Sequence, residues 1–225
     1  MTVSAPLAEA LDAALTVAPP AAEAILADAQ AQLAHLGRLG PDPDLSELAP
    51  QQDPGDTPLL STPHTASTYP ALLWNGERFE RLSAPWAARL AFLARVAAGD
   101  AAEPVRLARA VWAGEVVRRL WPPAPEGPAR AGLTTDSVAA GACAAVASGI
   151  EGDELAAVAE LAAGLMLVTP VDVGAGAPAG ATPHLAGLAA GHCLAAGWLA
   201  VQLFRCGVLA APGTALEVLA TREAP

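Results

Sequence analysis

Between residues 53 and 64 the chain gathers two carboxylates, a hydroxyl and an imidazole: Asp53, Asp56, Thr57 and His64. A histidine titrates near neutral pH, so beside a carboxylate it can take and return a proton. On this reading His64 is a general base, oriented by Asp56 or Thr57. The competing reading is a Pro-rich turn whose Asp and Thr side chains cap backbone amides.

A second set lies towards the C-terminus. His184 and His192 are two helical turns apart, which places them on one helix face, roughly 12 Å apart along the axis. That is too far to share a metal ion directly. His184 adjoins the Gly/Ala/Pro stretch 171–182 and could face a cleft, whereas His192 reads as a core histidine with one hydrogen bond. The sequence has no Cys-x-x-Cys, no His-Glu-x-x-His and no EF-hand loop, so neither metal nor cofactor is expected. Cys143, Cys193 and Cys206 all fall in apolar helical context, which favours buried, reduced thiols over disulfides or nucleophiles. The Gly/Ala run at 174–180 lacks the strand and lysine of a phosphate loop. Five Trp could line an apolar ligand pocket, or fill gaps between Ala-rich helices.

Composition limits what these residues can do. Among 225 residues all 12 cations are Arg, set against 23 Asp and Glu, for a net charge of −11. Without lysine there is no Schiff base and no P-loop cation. A pI near 4.6 disfavours nucleic acid. At 53% hydrophobic the chain can bury a core, so disorder is not expected. The N-terminus has no basic n-region followed by an apolar run, so a cytoplasmic protein is expected. Leu185 to Phe204 carries no formal charge and is long enough to span a bilayer. Its Ala and Gly content, with His192 and Gln202 inside, favours a buried core helix instead.

Helices must position the candidates. Ala8 to Leu39 reads as two helices broken at Pro19–Pro20. Residues 40–70 read as a long Pro/Asp/Thr-rich loop. Helices are expected over Pro85 to Ala98 and Glu103 to Leu120. In the second, Val105, Ala108, Trp112 and Val116 would face inward, Arg106 and Arg118 outward, and Arg109 would lie near the border. Thr135–Asp136 would cap a helix running to Ser148, ended by Gly149, and Asp153 would cap the next, which ends before Pro170. A long helix from about His184 to Arg205 would end at Gly207. No segment alternates like a strand. The fold class is all-α, an Ala-rich helical bundle in a single domain over 1–225. Its small side chains would let helices approach closely, and the helices from Val138 onward would lie at the centre or in a dimer interface.

Four stretches resemble, in order, the MmgE/PrpD family, which includes 2-methylcitrate dehydratase and cis-aconitate decarboxylase. Asp53 to Leu73 is similar to the family's Asp-x-Asp-Asp-Thr-His segment, with its following His-Pro-Ser and apolar helix. Ala110 to Pro125 resembles its Gly-Tyr-Glu-Val-x-x-Arg helix through Gly114, Glu115, Val116 and Arg118 or Arg119. Leu133 to Leu165 resembles its His-Pro-Thr-x-Thr-x-Gly-Ala helix and the helix after it. Ala181 to Pro212 resembles its Lys-x-Leu-His-Ala-Gly segment. The resemblance implies the family's large helical domain, without the smaller α+β lid, and a homodimer. His64 falls on the histidine of His-Pro-Ser and is the best-preserved catalytic candidate. Departures accompany it. Leu133 replaces the histidine of His-Pro-Thr, leaving Thr135. Thr182 stands near the lost lysine, and the family histidine is either displaced by one place, at His184, or gone. Pro58 replaces the histidine that follows Asp56 and Thr57.

Two functions compete. One is a divergent lyase or isomerase, catalysing dehydration, cyclisation or isomerisation of the kind found in specialised metabolism. His64 and Asp56 would be catalytic, with Asp53, Thr57, Thr135, Thr182 and His184 on the substrate. Because the cations are expected mostly on exposed helix faces, its substrate would be neutral or weakly charged. The other is a non-catalytic homologue: a scaffold, a regulatory subunit, or half of a split enzyme whose partner chain replaces the lid. Neither reading calls for nucleic acid or membrane.

Overall fold

The computed structural model describes residues 5–17, 19–40, 55–60, 62–99, 103–121, 130–165 and 181–211, with the backbone alone for 5–6, 14, 17, 19–20, 130–134 and 181–188. It is mostly helical. Eight helices are seen among these residues: α1 (Ala5–Val17), α2 (Pro19–Arg38), α3 (Thr68–Arg81), α4 (Trp86–Ala98), α5 (Pro104–Leu120), α6 (Arg130–Ala147), α7 (Gly152–Gly164) and α8 (Ala181–Arg205). One small antiparallel pair, β1 (Thr57–Pro58) and β2 (Thr65–Ala66), precedes α3.

The breaks follow local chemistry. Pro19 starts α2, and Pro104 occupies the first turn of α5, where its missing N–H costs nothing. Gly99, Gly149 and Gly207 take positive φ just beyond the ends of α4, α6 and α8. Glu151, not the expected Asp153, stands at the N-cap of α7; Asp153 and Glu154 sit in its first turn, beside its unpaired N–H groups. The loop expected over 40–70 is shorter at its end, because α3 begins at Thr68.

The apolar helices form the centre. Every described side chain of α6 from Thr135 to Ala147 is buried, and α7 is buried from Leu155 to Ala163. α6 packs against α5, α7 and α8, while α3 lies along α8. α2 covers α4 and α5, and α1 crosses α5 and α7. The α3–α8 approach is close because two glycines meet: a Cβ on Gly76 would strike the backbone of Gly191, and one on Gly191 would lie 2.7 Å from the Leu73 carbonyl oxygen. No described helix is long and apolar enough to cross a membrane.

Four further expectations need correction. α6 begins at Arg130, so Thr135 and Asp136 lie inside it and do not cap it. Asp136 instead accepts from Arg118 Nε at 2.8 Å, a tertiary partner taking the place of helix N–H groups. The inward face of α5 is Leu107, Ala108, Ala110, Val111, Ala113, Gly114 and Val117, while Val105 is 59% exposed. Apolar residues surround this helix, so its neighbours rather than its pattern select the buried face. The cations lie less outward than expected: Arg78 and Arg89 are buried, and the side chain of Arg118, expected to point outward, is 20% exposed. Cys206, just past the end of α8, is exposed.

Candidate functional site

The hairpin that carries Asp56 and Thr57 is fixed from below by α3. Asn75, fully buried, donates from Nδ2 to the Pro58 carbonyl at 2.9 Å. Its Oδ1 accepts from the Leu60 N–H at 2.8 Å. One amide thus satisfies both a donor and an acceptor of the loop backbone. The hydroxyls of Thr57 and Thr68 lie 3.1 Å apart and tie the first strand to the start of α3. Leu59 and Ala66 pack with Ala71 and Trp74 in a small apolar cluster beneath the turn. The Leu59 N–H donates to the His64 carbonyl at 3.0 Å, closing the hairpin. A side chain at position 55 would strike the Ala66–Ser67 backbone, so only glycine fits there.

Docked this way, the hairpin forms one wall of an open cleft of about 700 Å³. Asp56, Thr57, Pro58 and Leu60 come from the hairpin, Gln30, Leu33 and Ala34 from α2, and Phe92, Arg95 and Val96 from the C-terminal half of α4. The volume falls within the range of small-molecule sites, and the mixture of apolar walls with a few polar groups is their usual character. Asp56 and Arg95 are both exposed, and neither forms an ion pair among the described residues.

The sequence candidates are distributed around this cleft unevenly. Asp56 and Thr57 line it. His64 is exposed at the hairpin turn and is not among the cleft-lining residues; its N–H is taken by Thr62 Oγ1 at 3.2 Å. No hydrogen bond joins its imidazole to Asp56 or Thr57 among the described residues. Thr135 is fully buried in α6. Thr182 and His184 belong to the first turns of α8, where only the backbone is described, and Asp53 lies outside the described residues. His192 meets Tyr69, whose hydroxyl lies 3.3 Å from Nδ1, with the rings edge to face. Burial holds the His192 pKa below the usual histidine value, which favours the neutral imidazole with one ring nitrogen free to accept.

The sequence does not single out Gln30, Phe92, Arg95 or Asn75. Nothing local marks Gln30, Phe92 or Arg95, since α2 and α4 become neighbours only on folding. Asn75 carries a weak signal, an amide in an apolar helical stretch directly after the hairpin.

A second polar cluster sits where α3, α4, α5 and α6 meet. Two cations lie over the Trp86 ring, Arg89 at 5.2 Å and Arg118 at 4.9 Å from its centroid. Arg89 also donates to the Ala84 carbonyl at 2.9 Å and to Glu80 at 2.8 Å. These cations are therefore occupied in holding helices together. Burial pushes the Cys143 and Cys193 thiols up, with Glu115 adding to the first and Asp136 to the second. Thiols held this way are poor nucleophiles at neutral pH. Among the described residues no group of His, Cys, Asp or Glu is arranged to hold a metal ion.

Searches against family models, curated proteins and solved structures find no match to this chain.

Proposed function

We propose that the cleft between α2, α4 and the hairpin is the site of a lyase- or isomerase-like enzyme acting on a neutral or weakly charged small molecule. The observation that carries this is the placement of Asp56 and Thr57 on an apolar-walled cleft of about 700 Å³. In this reading Asp56 is the general base, a role carboxylates fill in proton abstraction next to a carbonyl. Thr57 is already held by Thr68 and fixes the backbone on which Asp56 stands. His64, next to the cleft in sequence but not on its wall, would act only by reaching across the turn. The MmgE/PrpD resemblance belongs to the same proposal, and the mostly helical bundle is consistent with it.

The test is a metabolite screen by thermal shift, followed by incubation of each hit in D2O. Deuterium incorporation into a bound compound is expected, reduced at least about 100-fold in Asp56→Asn and retained in His192→Ala. Hits whose binding and exchange ignore Asp56→Asn would overturn the assignment.

A second reading, a non-catalytic subunit that docks a partner chain, is favoured by Val208 and Leu209, which stand 42% and 51% exposed just beyond α8. A stable complex with a second chain, and no small-molecule hit, is its expected outcome.

A further inference from the structure

The geometry points to a substrate with a single carboxylate on an apolar body, the carboxylate held by Arg95. This rests on the cleft being the ligand site proposed above, and it names the class of molecule the cleft selects.

The charge arrangement carries the inference. The buried or half-buried cations Arg78, Arg89 and Arg118 are committed elsewhere: Arg78 donates to the Gly40 carbonyl, Arg89 to Glu80 and Ala84, and Arg118 to Asp136. Arg95 differs. It is exposed, it lies on the cleft wall, and its side chain forms no ion pair or hydrogen bond with another described residue. A guanidinium presents paired N–H donors that match a carboxylate in a two-point contact. Leu33, Leu60, Phe92 and Val96 share the cleft and offer surface for an aliphatic or aromatic body.

Asp56 sets the limit on charge. It stands on the hairpin wall, whereas Arg95 stands on α4. A ligand with one carboxylate can place it on Arg95 and turn its apolar body towards Asp56. A second carboxylate would meet Asp56 with no further cation among the described lining residues. The chain's net charge of −11 adds a long-range penalty that grows with each negative charge on the ligand. Arg95 offsets one such charge, not two or three. Polycarboxylates are therefore disfavoured. A monocarboxylate remains weakly charged, within the limits set by composition.

The experiment uses three probes of matched length: octanoate, octanamide and octanedioate. Binding is followed by NMR through the methyl resonances of Leu33 and Val96 and the ring of Phe92. Octanoate is expected to bind about five-fold more tightly than octanamide, the preference of one solvent-accessible ion pair. Arg95→Gln should abolish that preference by weakening octanoate binding. Octanedioate should bind more weakly than octanoate, and Asp56→Asn should narrow the difference. If octanamide binds as well as octanoate, or if the preference survives Arg95→Gln, the inference falls while the cleft remains a ligand site. Octanedioate binding more tightly than octanoate would also overturn it. If no probe shifts these resonances, the site assignment and the inference fall together.

Discussion

His192 shows how burial turns a common residue into a pH-dependent one. Its imidazole is half-buried between α8 and Tyr69, and desolvation lowers its pKa in the folded state. The folded protein therefore binds fewer protons than the unfolded chain in this window. The stabilising contribution of neutral His192 is complete above about pH 6.5, the value for an unperturbed histidine, and is lost as pH falls through the lower, folded value. Urea denaturation of wild type and His192→Gln between pH 7.5 and 5 should show a shallower loss of stability in the variant. Parallel curves would contradict this. At the residue scale the sequence is partly legible. It marks His192 as a core histidine and Asp56 and Thr57 as polar groups worth following. It cannot mark Arg95, because a cation on a helix acquires meaning only from what the fold sets beside it.

The close approach of α3 and α8 depends on glycine at both contact points. On Gly191 a Cβ would lie 2.7 Å from the Leu73 carbonyl oxygen and 2.8 Å from the Leu73 Cα. Both neighbours are backbone and can give way only if the helices separate. Gly191→Ala is expected to destabilise by about 2–3 kcal/mol, the overpacking cost exceeding the gain in helix propensity. Gly37, exposed in α2, has open space where a Cβ would stand, with nothing within 4 Å. There the same substitution should stabilise by about 0.5–1 kcal/mol, because only propensity and unfolded-state entropy change. Midpoints and slopes of chemical denaturation check both, and equal effects of either sign would refute the contrast. At this scale the helices are readable because Pro and Gly mark their ends by local sterics. The breaks at Pro19, Gly149 and Gly207 need no tertiary information. The inward face of α5 does, since Val105 and Val111 are equally apolar and only the neighbours decide which is buried. The start of α6 is misleading in sequence because Asp136 looks like a cap, yet it serves Arg118.

Across the whole molecule, −11 charges are carried by a surface with few compensating cations, several of which are committed inside the bundle. Exposed like charges repel over a Debye length of about 10 Å at 0.1 M salt, and added salt screens them. The Arg118–Asp136 pair, with side chains 20% and 12% exposed, is screened much less. Raising NaCl from about 10 mM to about 300 mM should therefore raise Tm, and a fall in Tm would show that attractive pairs dominate instead. The sequence by itself determined the material: a mostly helical chain, its principal breaks, Ala- and Gly-lined contacts, and an acidic composition without lysine. These follow from short-range sterics and from counting, which need no knowledge of the fold. The tertiary structure decided which helix faces are buried, which arginines are occupied, and which polar groups share a cleft. Those outcomes depend on residues far apart in sequence, such as Gln30, Asp56 and Arg95, being brought together by packing.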